Sequence, residues 1–479
     1  MEQRAAGRAK SAVLAAEDEH FEQQQYEDDD YVREREHGAV ESATSPVTAG
    51  AHLLMFLASC LMLRSLLLRG GFEGDPVGPA LFLLAMCGAT NMLVDIVIFK
   101  VHRRASTGLN YARYSPNLLR TLIKILGLAG SFGFILICYW LFPEYAGSFY
   151  NNYWRLLRLV LPVCAPFAAV YVYLVDACMV QPCDGYHNLG LALIFRWEWV
   201  DLGLLKQHLL GWLVKGFFVP LMFAPYTKDI PTILKADASV SFSTWNQIFE
   251  WTFSFLYFID LHFATMGYLN TFRVADTHIR AAEGTVVGWV AALLCYPPIN
   301  SVDAYYIHYQ DSVMWGAWLR DWPALKFIWG STILLLVAGY TTSTVLFGGR
   351  FSNLTNRGII TTGTYALTKH PAYLFKNISW WLVYVPWAAT GSLSTRLKHC
   401  IRLLLFNGIY FLRAKCEEAM LAPDPAYARY SKYMERHGIF ASFAQAIAGS
   451  PSQGGLAPPA HPTREVLLRK GDGVTVFTA

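Results

Sequence analysis

Two polar stretches near the C-terminal end of this apolar chain carry side chains suited to chemistry. The first, GTYALTKHPAYLFKN (363–377), sets Tyr365, Lys369, His370, Pro371 and Tyr373 at the mouth of an apolar run. Gly363 permits a tight turn, and Pro371 fixes its own φ and turns His370 away from helical geometry. His370 is thereby expected at a helix entrance, where unsatisfied N–H groups favour an anion. The second, YFLRAKCEEAMLAPDPAYARYSKYMERHG (410–438), places Arg413 and Glu417 four apart on one helix face, with Glu418 on a neighbouring face. Pro423 and Pro425 stop that helix. Tyr427, Tyr430 and Tyr433 then recur every three residues with Arg429, Lys432 and Arg436 between them, the pattern of a helix lying in a membrane interface. Brought together, the two stretches would line one pocket with His, Tyr, Arg and two carboxylates. Each residue also has a plainer reading. His370 would be a helix cap, Arg413–Glu417 a structural ion pair, Glu418 a solvated acid, the tyrosine row an interfacial belt, and Trp380–Trp381 an aromatic belt.

The rest of the chain must position these stretches. Of 479 residues 54% are hydrophobic and only 15% charged, against about 25% charged in ordinary soluble proteins. The apolar residues come in long blocks, as helices crossing ~30 Å of hydrocarbon require, and not in the alternation of a membrane barrel. Spans are expected near 51–69, 77–99, 121–143, 154–175, 206–225, 246–270, 284–299, 326–347, 377–393 and 398–415. The shorter block 188–204 carries Arg196, Glu198 and Asp201, and such charges are costly at mid-bilayer, so it is read as interfacial. The expectation is an all-α, polytopic bundle of about ten spans.

Loop charge orients the bundle. The segments 100–124, 270–284 and 348–358 are rich in Lys and Arg, whereas GGFEGDPVG (70–78) and PEYAGSFYNN (143–152) lack both. Basic loops lie in the cytoplasm under the positive-inside rule, and with ten spans both termini follow. Four regions result: an acidic, disordered tail over 1–48, a transmembrane bundle over 49–347, a C-terminal core over 348–440, and a flexible tail over 441–479. Residues 1–45 hold no apolar stretch of the kind a signal peptide needs. The net charge of +4, without a concentrated basic run, gives no footing for nucleic acid. The nine cysteines mostly lie inside apolar blocks; Cys178 and Cys183 lack the further ligands a metal site needs, so no metal is expected. The localisation expected is a bacterial inner membrane or the endoplasmic reticulum.

The run TTGTYALTKHPAYL, a short hydrophobic hairpin, then RAKCEEAMLAPDPAYARY resembles the C-terminal core of the isoprenylcysteine carboxyl methyltransferase family and its wider group of phospholipid N-methyltransferases. The matching positions are Gly363, Tyr365, His370, Pro371 and Tyr373, then Arg413, Glu417, Glu418, Tyr427 and Tyr430. Lys369 stands where that family usually has Arg, Phe375 where it often has Gly, and Asp424–Pro425 replaces a Phe-Gly. The resemblance covers about the last hundred residues before the tail. It implies an S-adenosylmethionine site on the cytoplasmic side formed by Tyr365, Lys369, His370, Pro371, Tyr373, Glu417, Glu418, Tyr427 and Tyr430, with Arg413, Glu417 and Glu418 in the catalytic roles.

Methyl transfer suits these residue types. The sulfonium already carries the activated methyl group, so the protein has to hold donor and acceptor collinear and exclude water. A carboxylate acceptor needs no base; an amine or hydroxyl would use Glu417 or Glu418. The partners expected are the bilayer and a lipid-like small-molecule acceptor, O- or N-methylated. Ionisable residues within spans are candidates to line its headgroup site: Asp95, with Asn91 four residues earlier, and Asp260 and His262, with Glu250 nearby. Their plainer reading is pairing between helices. CYPPIN (295–300) is expected to break a helix. Two other functions fit parts of the pattern. An NADPH-dependent membrane sterol or lipid reductase shares a similar His-Pro-x-Tyr turn but has Arg-Asp where this chain has Glu-Glu. A transporter or receptor would fit the spans and leave both polar stretches unexplained.

Overall fold

The computed structural model describes residues 40–296 and 313–447. The acidic segment up to residue 39, the C-terminal tail from 448 and the Pro-Pro-Ile-Asn part of CYPPIN lie outside the described residues. The chain divides into two compact units, Ser42–Ala428 and a second made of Met1–Glu41 with Arg429–Ala479. The expected boundary at 348 thus falls inside the first unit.

The fold is all-α, with one two-residue antiparallel pairing of β1 (Ala281–Ala282) with β2 (Thr355–Asn356). The larger unit runs through α1 (Pro46–Leu68), α2 (Gly78–Leu93), α3 (Leu118–Leu141), α4 (Asn151–Cys178), α5 (Gly185–Leu193), α6 (Leu202–Leu234), α7 (Trp245–Leu269), α8 (Val286–Leu293), α9 (Pro323–Val345), α10 (Pro371–Tyr384) and α11 (Leu393–Leu421). Helix α12 (Pro425–His437) begins in it, and α13 (Ile439–Ile447) follows. Residues 46–48 and 441–447, expected in loose tails, are therefore helical.

Among the described residues six helices are long and apolar enough to cross a membrane: Pro46–Leu68, Gly78–Ile98, Leu118–Leu141, Ser148–Cys178, Leu202–Leu234 and Pro323–Val345. Long α7 and α11 are more polar. At 284–299 only the eight residues of α8 are helical among those described. Helix α10 has 14 residues, about 21 Å at ~1.5 Å per residue, which is shorter than a bilayer core.

Local chemistry explains the ends and contacts. Ser45, Asn117, Asp184, Asp201, Thr244, Thr285 and Ser392 each accept a backbone N–H from the first turn of the helix they precede. Asp201, an ionisable candidate in the sequence, is thus a cap, and Arg196 and Glu198 form an exposed pair at 3.5 Å. Helices α3 and α5 cross where Gly127 meets Gly190: a Cβ on either would come within 2.0 Å of the other helix's backbone, so only glycine allows this approach. The main core gathers Phe56, Phe218, Phe223, Tyr226, Phe258 and Phe263 from α1, α6 and α7.

The basic loops meet at one end of the bundle. Ser106 and Arg280 bond the carboxylate of Asp276 at 2.7 and 3.1 Å, and Arg350 reaches the same carboxylate at 3.1 Å. Arg273 donates to the Thr107 carbonyl at 3.1 Å. Beneath them, Arg357 is buried and donates to the carbonyls of Thr277 (2.7 Å), Gly267 (2.5 Å), Phe351 (3.1 Å) and Gly349 (3.1 Å), and also to Asn270. Gly267 and Asn270 lie at the C-terminal end of α7, where carbonyls lack partners and a cation is favoured. Burial without a carboxylate holds the Arg357 guanidinium down to about 9. The three loops read as basic therefore share one end.

Candidate functional site

The turn before α10 forms as its residues dictate. Gly363 adopts φ +63°, and a Cβ there would lie 2.6 Å from Leu346. His370 has φ −129° and ψ 59°, outside helical geometry, and Pro371 opens the helix. Phe375 lies against Gly339, so α9 and α10 pack closely there.

Helix α11 brings the second stretch to this entrance. His370 Nε2 lies 3.2 Å from Glu418 Oε1, and its Nδ1 lies 3.7 Å from Glu417 Oε2. Tyr373 donates its hydroxyl to Glu417 in a short hydrogen bond. Lys369 and Lys415 reach Glu418 Oε2 at 3.4 and 2.9 Å. Arg413 Nε stands 3.6 Å from Glu417 Oε1. The rings of His370 and Tyr373 stack at 5.6 Å and 3°. Two carboxylates thus stand at the N-terminal end of α10, in the place the helix dipole favours for anions. The His370 hydrogen bond, with Lys415 and Lys369, holds the Glu418 carboxyl down to about 2 despite partial burial. Burial pushes the Tyr373 hydroxyl well above its ordinary range, so it remains a donor.

Arg413 is buried among Tyr373, Tyr296 and Tyr410, its guanidinium 5.1, 5.7 and 5.7 Å from their ring centres. It donates through Nη2 to the Asn353 side-chain carbonyl. Asn353 in turn donates to the hydroxyls of Tyr268 and Tyr296 at 2.7 and 3.1 Å. Asn356, three residues on, donates to Asp424 at 2.8 Å. The 348–358 loop therefore braces the α11 side of the cluster. Sequence reasoning missed Asn353, because GGRFSNLTNRG registers only as a basic loop. It missed Lys415 also, although Lys415 stands three residues before Glu418, within helical reach of it.

The remaining candidates are placed as follows. Pro371 is buried at the first turn of α10. Tyr365 is buried in the main core, with its ring 5.3 Å from Phe347. Tyr427 is buried in the larger unit; Tyr430 is buried in α12 but belongs to the second unit, and Tyr433 is exposed. Trp380 packs on Phe406 and Tyr410, and Trp381 donates to Asn407 at 2.7 Å, so the pair fastens α10 to α11 and does not form a free aromatic belt.

Asp95, Asp260 and His262 do not converge. Asp95 sits in a π-helical turn (Val94–Ile98) and meets His52 Nε2 at 3.1 Å. His262 accepts or donates to Tyr226 at 2.7 Å and packs on Phe56 at 4.2 Å. Asp260 accepts from Tyr340 at 2.8 Å and Thr344 at 2.5 Å, on α9. Positions two apart on a helix point ~200° apart, so α7 turns Asp260 and His262 to opposite neighbours. Asp260 is the one connected to the cluster: Tyr340 lies under the Lys376 ammonium at 5.1 Å, and Lys376 also overlies Tyr410 at 5.9 Å, next to Tyr373.

All nine cysteines are free, and among the described residues no group of His, Cys, Asp and Glu has the arrangement of a metal site. Compared with protein-family models, with curated proteins and with solved structures, the chain gives no match in any of the three.

Proposed function

We propose that this chain is an integral-membrane S-adenosylmethionine-dependent methyltransferase acting on a lipid or prenyl-type acceptor, its ten spans leaving both termini and the His370 cluster at the cytoplasmic face. One observation carries the reading: residues 369–373 and 413–418, separated by a hydrophobic hairpin, meet in one cluster through the His370–Glu418 and Tyr373–Glu417 contacts. The gathering of the basic loops at the end that also braces Arg413 supports the orientation.

The donor set suits the cofactor. The buried Nε of Arg413 has no hydrogen-bond partner among the described residues, so the guanidinium keeps a donor for a ligand carboxylate. Glu417 and Glu418 suit ribose hydroxyls and an ammonium, and the tyrosine faces suit a sulfonium. When bound, the cofactor would supply the activated methyl group. The chain's task is to orient: Arg413 and His370 fix the carboxylates, the surrounding rings thin out water, and a carboxylate acceptor would then need no proton removed. For an amine acceptor, Glu417 is the residue placed to take the proton, since Glu418 is committed to two lysines and His370.

Calorimetry on purified protein tests this. S-adenosylmethionine should bind in detergent, and Glu417→Gln and His370→Ala should each weaken binding at least tenfold while the protein stays folded. NADPH binding in its place would favour a reductase, and neither ligand binding would remove the enzyme reading. Labelled methyl donor with a total lipid extract then identifies the acceptor.

A further inference from the structure

The second unit contains a surface that the methyl-transfer reading does not use. In α12, Arg429, Lys432, Tyr433 and Arg436 are exposed at i, i+3, i+4 and i+7, one stripe of a helix. Glu435 is exposed beside them, and His437 stacks on Tyr433 at 4.5 Å. Gly438 follows, its N–H bonded to the Met434 carbonyl at 2.9 Å. Helix α13 then presents Ile439, Phe440 and Phe443, which are 48%, 64% and 66% exposed. Their i, i+1, i+4 spacing puts all three on one face. Two aromatic rings and a β-branched side chain on a nine-residue helix, directly after a cationic stripe, form an unusual surface for water to cover.

We propose that α12 and α13 form an anchor for a membrane surface bearing acidic headgroups. Charge and apolarity together select this occupant. Arg429, Lys432 and Arg436 are exposed along one stripe, and each cation near an acidic bilayer raises surface partitioning about fivefold, on the order of a hundredfold for three. Ile439, Phe440 and Phe443 supply the apolar body that inserts at the acyl boundary. Elsewhere the same chain offers six helices fit to cross a bilayer, so lipid is at hand. The proposal does not depend on the identity of the cofactor.

Hydrogen exchange on the full chain in nanodiscs tests it. Amides over 425–447 should exchange several-fold more slowly in discs with ~30% acidic lipid than in neutral discs, and high salt should erase the difference. A variant with Arg429, Lys432 and Arg436 changed to Gln should lose the acidic-lipid increment. Phe440→Glu with Phe443→Glu should lose protection in both discs. Equal exchange in the two discs overturns the proposal, and that comparison needs only the wild-type chain. So does protection that disappears on deleting residues 1–40, which would make the acidic N-terminal segment the occupant, or protection that grows with protein concentration, which would make it a second copy.

Discussion

Two of the ionic clusters in the larger unit are built differently. At one, Lys124 bonds Asp176 at 2.8 Å and Asp184 at 3.3 Å, while Arg120 grips Asp176 through Nη2 at 2.8 Å and Nε at 2.9 and 3.0 Å. The side chains of Lys124 and Asp176 are only 2% and 1% exposed, while Arg120 and Asp184 at the cluster's edge are 21% and 16% exposed. Two cations face two carboxylates, and the buried Lys124 ammonium touches both. At the other, the side chains of Lys369, His370, Glu417 and Glu418 are 19%, 19%, 21% and 18% exposed, and the Nε of the buried Arg413, 3.6 Å from Glu417, has no hydrogen-bond partner among the described residues. The first cluster, centred on a fully buried ion pair, ties α3 to the end of α4. An open cluster with spare hydrogen-bonding capacity can exchange an internal partner for a ligand. Buried charge alone therefore does not mark a site; incomplete satisfaction at an accessible place does.

Mutations should separate the two. Asp176→Asn takes the carboxylate from Arg120, leaves Lys124 with Asp184 alone, and should cost about 3–5 kcal/mol in thermal or denaturant unfolding. Replacing the buried pair together, Lys124→Met with Asp176→Leu, should restore much of that; no recovery would mean that the cluster does more than fasten helices. Asn353→Ala should cost less, about 1–3 kcal/mol, because it removes the side-chain amide from one guanidinium donor and two tyrosine hydroxyls, of which Tyr268 keeps the residue-353 backbone N–H. It should also weaken S-adenosylmethionine binding about tenfold, with Asn353→Asp recovering much of the affinity. A stability loss with unchanged affinity would assign Asn353 to the scaffold alone. Smallest is the acid response of Glu418. Its carboxyl is held down, so its contribution is fully present above the ordinary carboxylate range and is lost as pH falls through about 2. The melting-temperature gap between wild type and Glu418→Gln should hold from pH 7 to 5 and close toward pH 2; a gap that closes by pH 5 would contradict the His370 contact.

Legibility in the sequence followed the range of the interactions. Helices were readable because hydropathy is local: six expected spans appear as long apolar helices, while the polar, short or partly undescribed ones at 246–270, 284–299, 377–393 and 398–415 do not meet that standard. The pairing of His370 with Glu418 was readable because two motif-bearing stretches flank one hairpin. The partners of Lys124 were not, since Asp176 lies 52 positions away and nothing in its neighbourhood singles it out. Nor was the separation of Asp260 from His262 seen as decisive, although helical geometry alone sends them apart. Asn353 escaped because an amide in a basic loop has no signature until Arg413 arrives beside it.

The Arg357 clamp carries a consequence for biogenesis. The carbonyls it satisfies at Gly267, Asn270 and Thr277 leave the ribosome some eighty to ninety residues before their donor does. Until that late guanidinium is made, the Gly267, Asn270 and Thr277 carbonyls lack this donor and must borrow water or an insertion factor. A nonsense codon between positions 278 and 357 would therefore spoil a region already translated, and quality control should recognise such fragments by an unclosed loop upstream of their truncated ends.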